Sequence, residues 1–231
     1  MPVASRSQPE GLRMYDELAA VHTIMRRGAV LSAAAIDHLA SGSPLDVATL
    51  VRLVRWQAGF VHHHHESEDE QFWPVLRRLF PDDMAPLDAL STEHEILDVT
   101  LKTLSQAIDA IALTRRLKGT DAHAAAVGLA ATEALPAAEK LRDVLISHLD
   151  NEEPVLQKLF PQVPDADIRR LRAAIVAGAP RSGPHLVLGL LDDPTPAPGY
   201  NAMLQNFPRP VRWLRPLLVK RYWATKNALS R

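Results

Sequence analysis

Two stretches of the chain, HHHHESEDEQFWPVLRRLFP at residues 62–81 and HLDNEEPVLQKLFP at residues 148–161, share one pattern. In each stretch a histidine is followed four residues later by a glutamate, and the pairs are His64–Glu68 and His148–Glu152. Residues four apart lie on one face of a helix, so each stretch directs an imidazole and a carboxylate to one point. Two such pairs on two helices predict a dinuclear metal site inside a helical bundle.

The two stretches also share the ending P-V-L-x-x-L-F-P, but they differ in one spacing. Pro74 follows His64 by ten positions, whereas Pro154 follows His148 by six. The difference is about one helical turn, so the inward faces of the two helices can still correspond.

Composition restricts the class of protein. The 231 residues are rich in Ala and Leu, aromatic residues make up only 5%, and no long alternating Val/Ile/Thr runs occur, which predicts an all-α fold. The chain has no cysteine, so disulfides, thiolate metal ligands and cysteine nucleophiles are excluded. The first residues lack an apolar signal segment, and no run of about 20 apolar residues is present, so we expect a cytoplasmic protein.

Four long helices with short connections are predicted. The first two run over about Leu12–Leu39 and Pro44–Leu79. The third starts near Ala85–Asp88 and ends around Thr114–Lys118, and the fourth, with an uncertain start, ends at Leu159. The start of the fourth helix is open because Pro136 either kinks a long helix or begins a shorter one. This order predicts an up-down-up-down four-helix bundle over residues 10–161. Residues 162–231 are expected to form a helical or irregular C-terminal extension, packed on or beside the bundle.

All four helices place a histidine on their inward apolar stripe, and two of them also place a glutamate there. The predicted metal ligands are His22, His64, Glu68, His94, His148 and Glu152. A single histidine on such a stripe is more often a hydrogen-bonded core residue than a ligand. Two carboxylates buried without a partner, however, cost several kcal/mol or more, and divalent cations remove that penalty. Imidazole and carboxylate ligands without sulfur suit iron, manganese or zinc. Carboxylates bridge two ions more readily than imidazoles do, which favours Glu68 and Glu152 as bridges.

These residues carry a family resemblance. The segments around His22 (VHTIMRR), His64 to Pro74, His94 (EHEIL) and His148 (HLDNEE) resemble the hemerythrin-like HHE cation-binding domains over about residues 12–161. The resemblance implies a four-helix bundle with an oxo- or hydroxo-bridged centre of two Fe ions that meets O₂ or related small molecules. Zn or Mn are possible substitutes. The segment after residue 161 resembles the C-terminal extensions of actinobacterial members.

The resemblance has one clear departure. Oxygen-carrying hemerythrins use five imidazoles, with a second histidine one turn after that of the third helix, and this chain has Asp98 there. Asp98 is either a further ligand or an exposed polar residue. His65 is expected beside the centre or at its mouth, and Glu153 is an alternative bridge to Glu152. A site with only four imidazoles would favour the ferric state and oxidative chemistry over reversible O₂ carriage.

Three functions therefore stay open. The first is a di-iron protein that binds or consumes O₂, H₂O₂ or NO, with enzymatic turnover undecided and no separate catalytic residue predicted. The second is an iron- or oxygen-sensing module whose extension contacts a partner, and the third is a storage or structural role with zinc. No nucleic acid or membrane is expected as a partner, because Trp213, Leu217, Leu218 and Tyr222 are predicted to pack on the bundle while the basic residues stay solvated. The sequence does not predict the oligomeric state.

Overall fold

The computed structural model describes residues 9–114, 120–179 and 182–230. The α-helices are α1 (Glu10–Ala40), α2 (Val47–Ser67), α3 (Trp73–Leu79), α4 (Met84–Thr114), α5 (Thr120–Leu159), α6 (Asp165–Gly178), α7 (Pro184–Asp192), α8 (Tyr200–Asn206), α9 (Arg209–Trp213) and α10 (Arg215–Ala228). The described ranges contain no strand, so the all-α prediction is confirmed. Within the same ranges, no helix combines the length and the apolarity needed to cross a membrane.

The four long helices form the predicted bundle. α1 packs against α2 and α5, and α4 packs against the same two helices, so each long helix has two neighbours in a closed ring. The apolar stripes face inward. On α4 the residues spaced three and four apart are all buried, namely Leu87, Leu90, His94, Leu97, Leu101, Leu104 and Ile108. Spacing of three and four residues was thus sufficient to identify the core face of this helix.

The second helix begins later than predicted. It starts at Val47 rather than at Pro44, because the carboxylate of Asp46 accepts a hydrogen bond of 2.6 Å from the backbone N–H of Thr49. An aspartate in this position satisfies one of the unpaired N–H groups of the first turn, which fixes the helix start.

A π-helical segment, Glu68–Phe72, joins α2 to α3. The backbone N–H of Trp73 donates to the carbonyl of Glu68, five residues earlier instead of four. The next residue, Pro74, has no N–H to donate, so the regular ladder of hydrogen bonds is interrupted there in any case. Such single wide turns occur mostly inside longer helices and frequently at functional sites.

The open question about the fourth helix is answered by α5. It is one helix from Thr120 to Leu159 and contains both Pro136 and Pro154 in its interior. Pro136 therefore neither begins nor ends this helix.

The C-terminal extension shares the apolar core of the bundle. α7 is almost entirely apolar, and its Leu186, Leu190 and Leu191 belong to the same buried cluster as Ile24 of α1. Within the extension, α6 begins at Asp165, and the segment after it contains α7, α8, α9 and α10. The extension thus lies directly on α1.

Tyr222 attaches α10 to α7. Its ring is buried against Gly189, and its hydroxyl donates a hydrogen bond of 2.6 Å to Asp193. Lys226 also donates to Asp193. These hydrogen bonds hold the pKa of Asp193 below its usual range in spite of burial, so this carboxylate is ionised at neutral pH.

The packing predicted for the extension is wrong for two of its apolar residues. Trp213 is 81% exposed and Leu217 is 64% exposed, whereas Tyr222 is buried. Leu217 precedes Tyr222 by five residues, which places it about 140° around α10 from the face that contacts α7. One side of this amphipathic segment therefore stays in solvent.

We predict that Gly189→Ala weakens the attachment of α10. A Cβ at this position would lie 1.9 Å from Cγ of Tyr222, so the ring must move and its packing is lost. Overpacking of this kind costs about 1–3 kcal/mol, and we expect the free energy of unfolding to fall by about 2 kcal/mol in urea titrations. Gly59→Ala is the matched control, because that helical position has no neighbour within 4 Å and should gain up to about 1 kcal/mol. Equal effects of the two substitutions would contradict the packing described here.

Candidate metal centre

Two groups of side chains in the bundle core have their donor atoms within 4.8 Å of one another. The first consists of His65, Glu68, His94 and His148, and the second of His22, His64, Glu68 and Glu152. Glu68 belongs to both groups. The structure thus brings together all six residues that the sequence predicts as ligands, and it adds His65.

The bundle positions these side chains from five elements. α1 supplies His22, α4 supplies His94, and α5 supplies His148 and Glu152. The remaining three come from the His-rich stretch, where His64 and His65 end α2 and Glu68 begins the π-helical segment. The centre therefore lies where the four long helices of the bundle converge.

His65 is a candidate ligand that the sequence analysis expected beside the centre or at its mouth. Its ring is buried, stacks on His94 with a centroid distance of 4.4 Å, and lies 5.1 Å from the ring of His148. The sequence spacing could have indicated this position of His65, because His64 and His65 precede Glu68 by four and three residues. At about 100° per residue, they lie about 40° to one side and 60° to the other side of Glu68 on the helix. Both imidazoles can therefore lie beside the same carboxylate.

The two carboxylates lie between the two groups. One oxygen of Glu68 is 3.0 Å from Nε2 of His64 in the second group, and its other oxygen is 3.6 Å from Nε2 of His94 in the first. One oxygen of Glu152 lies 3.4 Å from Nε2 of His148 and 3.7 Å from Nε2 of His22. This arrangement is the one expected of bridging carboxylates.

An outer set of carboxylates contacts the other ring nitrogen of three histidines. Nδ1 of His22 lies 3.1 Å from Glu153, Nδ1 of His94 lies 3.0 Å from Asp69, and Nδ1 of His148 lies 2.8 Å from Glu93. An ionised carboxylate only accepts hydrogen bonds, so each of these Nδ1 atoms is the donor, and the Nε2 atom of each ring faces the centre. Histidine ligands of metals usually have such an outer partner, which fixes the ring and its tautomer.

Glu153 is therefore an outer partner of His22 in this structure, rather than a bridge. It also accepts a hydrogen bond of 2.5 Å from Arg26, which in turn donates one of 2.6 Å to Asp150. These contacts hold the pKa of Glu153 below its usual range although it is partly buried.

Most donor atoms directed into the centre have no hydrogen-bond partner in the described part of the chain, whereas Nε2 of His94 and Nε2 of His148 lie 3.2 Å apart, within hydrogen-bond distance of each other. At the centre, the buried atoms without a partner are Nε2 of His22, Nε2 of His64, both ring nitrogens of His65 and both oxygens of Glu68 and of Glu152. Buried polar atoms are nearly always hydrogen-bonded, and leaving one without a partner costs about 1–3 kcal/mol. So many unpartnered atoms in one place fit a group of side chains that binds cations.

Burial shifts the protonation of these groups toward their neutral forms. It lowers the pKa of His64 to about 4, and it also lowers the pKa values of His22 and His65. The same burial raises the pKa of Glu68 to about 8. His148 differs, because its contacts with carboxylates outweigh burial and raise its pKa. Neutral imidazole is the form that binds a metal, so the low values favour coordination.

Asp98 does not reach the centre. Its side chain is 55% exposed and faces Nδ1 of the exposed His62 at 3.3 Å. Of the two alternatives for Asp98, a further ligand or an exposed polar residue, the structure supports the exposed polar residue. His65 places a fifth imidazole among the candidate donors, so the structure does not support the expectation of only four.

Residues 13–163 match the family model of the hemerythrin HHE cation binding domain, and the chain belongs to this family. No curated protein and no solved structure matches the chain. Family membership together with the two donor groups identifies a His/carboxylate metal-binding site.

Removal of the metal should make stability depend on pH through Glu68. Its raised pKa, about 8 against an ordinary 4.5, means that the metal-free protein takes up a proton on folding between these values. Stability then falls as pH rises through that range. We expect the free energy of unfolding, measured in urea with a chelator present, to fall by about 1 kcal/mol from pH 7 to pH 8.

The Glu68→Gln variant is the control for this pH dependence, because glutamine has no proton to lose. Its free energy of unfolding should fall less over the same interval. The raised pKa of His148 acts in the same direction in both proteins, so the difference between them reports Glu68. An identical fall in the two metal-free proteins would show that Glu68 is already ionised in the folded state.

Glu153→Gln tests the outer carboxylates. The substitution removes the negative charge that faces both His22 and Arg26, and loss of such a partner typically weakens metal binding about 10–100-fold. We expect a loss of this size in chelator competition experiments. Glu95→Gln is the matched control, since Glu95 is exposed on the same helix as His94. If both variants bind metal as the wild type does, the outer carboxylates do not position the histidines.

Proposed function

We propose that this site holds two iron ions and that the protein binds or reacts with O₂, peroxide or NO there. The observation that carries the proposal is the position of Glu68, whose two oxygens face histidines of two different donor groups. A carboxylate in this position serves two ions at once, which a mononuclear site does not require.

The donor set supports iron. Five imidazoles and two carboxylates, with no sulfur ligand in the chain, suit iron, manganese or zinc. Seven side chains do not fill the coordination shells of two six-coordinate ions, so room is left for a small external ligand. When bound, iron supplies one-electron redox chemistry and a position for a diatomic molecule or peroxide.

The chain itself positions the ligands and covers one side of the site with apolar side chains. Phe72 and Trp73, four and five residues after Glu68, are buried, and the Trp73 ring lies 6.0 Å from that of His94. Close packing on this side strengthens electrostatic interactions inside the site and limits side reactions. Because His65 supplies a fifth imidazole, the ligand count gives no preference for oxidative chemistry over reversible binding. Turnover is therefore the property that an experiment must measure.

A second candidate function is sensing, in which occupancy of the metal site changes how the extension contacts a partner. The exposed side chains of Trp213 and Leu217 favour it, because they leave an apolar surface in a segment that has Lys and Arg but no Asp or Glu after residue 193. A sensor would bind its small molecule without steady turnover. Limited proteolysis of the extension would then differ between the metal-loaded and the metal-free protein.

The first experiment counts metals by plasma mass spectrometry and records the optical spectrum of the iron form before and after peroxide. We expect two irons per chain, an oxo-to-iron charge-transfer band in the near ultraviolet, and loss of peroxide over many turnovers. Iron binding without turnover would support the sensing candidate. Absence of iron, or a single zinc, would contradict the proposal.

His22→Ala should lower the iron content and abolish the charge-transfer band, since His22 is fully buried in the second donor group. The matched control is His38→Ala, an exposed histidine on the same helix. We expect this control to retain two irons and the wild-type spectrum. An unchanged iron content in His22→Ala would remove this residue from the ligand set.

A further inference from the structure

A cavity of about 660 Å³, partly open to solvent, reaches the candidate metal centre from one side. Its inner end is formed by His64 and Glu68, which belong to the second donor group. The volume lies within the range of about 300–1,000 Å³ that is typical of pockets for small organic molecules. A diatomic gas or a peroxide needs far less space.

The extension builds one side of this cavity. Ile175 and Val176 of α6, Val187 of α7 and Met203 of α8 face Phe60 and other residues of the bundle across it. The match to the hemerythrin HHE domain ends at residue 163, so these four residues lie outside the part of the chain that defines the family. The cavity is thus a feature of the whole chain and not of the bundle alone.

The lining is mainly apolar. Beside the residues already named, Leu18, Val21, Phe72 and Phe207 contribute to it. Arg172 and Glu17, the main charged residues of the cavity wall, form an ion pair with each other. Arg172 donates two hydrogen bonds of 2.7 Å to Glu17 and one of 2.6 Å to Asn206. A ligand that fits must therefore be apolar along its length.

The inner end of the cavity, in contrast to its apolar walls, is polar. Nε2 of His64 and both oxygens of Glu68 are buried there without a hydrogen-bond partner in the described ranges. A polar end of a ligand therefore finds buried polar atoms without a partner at the metal centre.

We propose that this cavity binds an apolar organic molecule with one oxygen-bearing end, such as an aliphatic alcohol, aldehyde or carboxylic acid, with that end directed to the metal centre. The orientation rests on the proposed metal site, whereas the binding of the apolar body rests on the cavity. The site therefore accepts an organic ligand in addition to a small oxidant or gas.

The test uses octan-1-ol as the probe, because it is uncharged and carries one hydroxyl. Calorimetric titration into the full-length protein, metal-loaded and metal-free, should show saturable binding at one site per chain. Ethanol should bind at least about a hundredfold more weakly, because each buried methylene strengthens binding about fourfold. Equal affinities for the two alcohols, or no saturable binding of octan-1-ol, would overturn the proposal.

Two variants fill the cavity from the side of the extension, Ile175→Trp and Met203→Trp. Each should weaken binding of octan-1-ol at least tenfold and leave the metal content of the chain unchanged. Two positions are used because either one alone can affect folding. Leu129→Trp is the matched control, since Leu129 is exposed on α5 and does not line the cavity. Undiminished binding in both cavity variants, with the native circular dichroism spectrum, would contradict the assignment.

Orientation is tested by nuclear magnetic resonance of octan-1-ol bound to protein loaded with Mn²⁺. Paramagnetic relaxation falls steeply with distance, so the protons beside the hydroxyl should relax faster than those of the terminal methyl group. A uniform or reversed gradient would overturn the orientation. If the protein takes up no metal but still binds octan-1-ol in the cavity, the proposed di-iron function fails and the organic-ligand site stands. If metals bind and octan-1-ol does not, only the organic-ligand site fails.

Discussion

The constraint that shapes the centre of the bundle is the burial of two carboxylates, Glu68 and Glu152, whose oxygens have no hydrogen-bond donor in the described chain. Ionised carboxylates in a low-dielectric interior are tolerated only when a cation or a close donor faces them. Here the nearest groups are imidazoles, and burial lowers the pKa of most of them, so they bring little positive charge. The centre is therefore complete only with bound cations, and the convergence of the four long helices is coupled to metal binding.

The outer carboxylates, Asp69, Glu93 and Glu153, also affect the geometry and the charge of the centre. Asp69, Glu93 and Glu153 hold the Nδ1 sides of three histidines, which keeps the Nε2 sides directed inward. They also add negative charge around the centre, and Arg26 offsets part of it by donating to Glu153. A site that is anionic on both sides of its histidines favours divalent or trivalent cations over a water-filled core. Positioning and charge are thus supplied by the same residues.

The sequence predicted the parts of the structure that follow from helical periodicity. The bundle, its inward stripes and the six residues assembled at the centre came from spacing of three and four residues. His65 was not predicted as a ligand because only one histidine of the His-rich stretch, His64, was placed on the inward face of its helix. Residues three and four positions before Glu68 both lie beside it on the helix, so His64 and His65 can both face the centre. The π-helical turn at Glu68–Phe72 was not predicted, since it depends on the alternative hydrogen bond of Trp73. The exposure of Trp213 depends on which elements pack nearby, and periodicity within one helix does not contain that information.

The extension gives the centre a surrounding that the bundle alone does not provide. The side of the centre formed by His64 and Glu68 opens into a cavity, and α6, α7 and α8 line that cavity with apolar side chains. Apolar walls offer water few hydrogen bonds, so a molecule that covers them releases poorly bound solvent and lowers the dielectric constant next to the metal ligands. An occupant of the cavity would thus strengthen the electrostatic interactions of Glu68. Ligand binding in the cavity would therefore be physically coupled to the chemistry proposed for the metal centre, even where the ligand touches no metal.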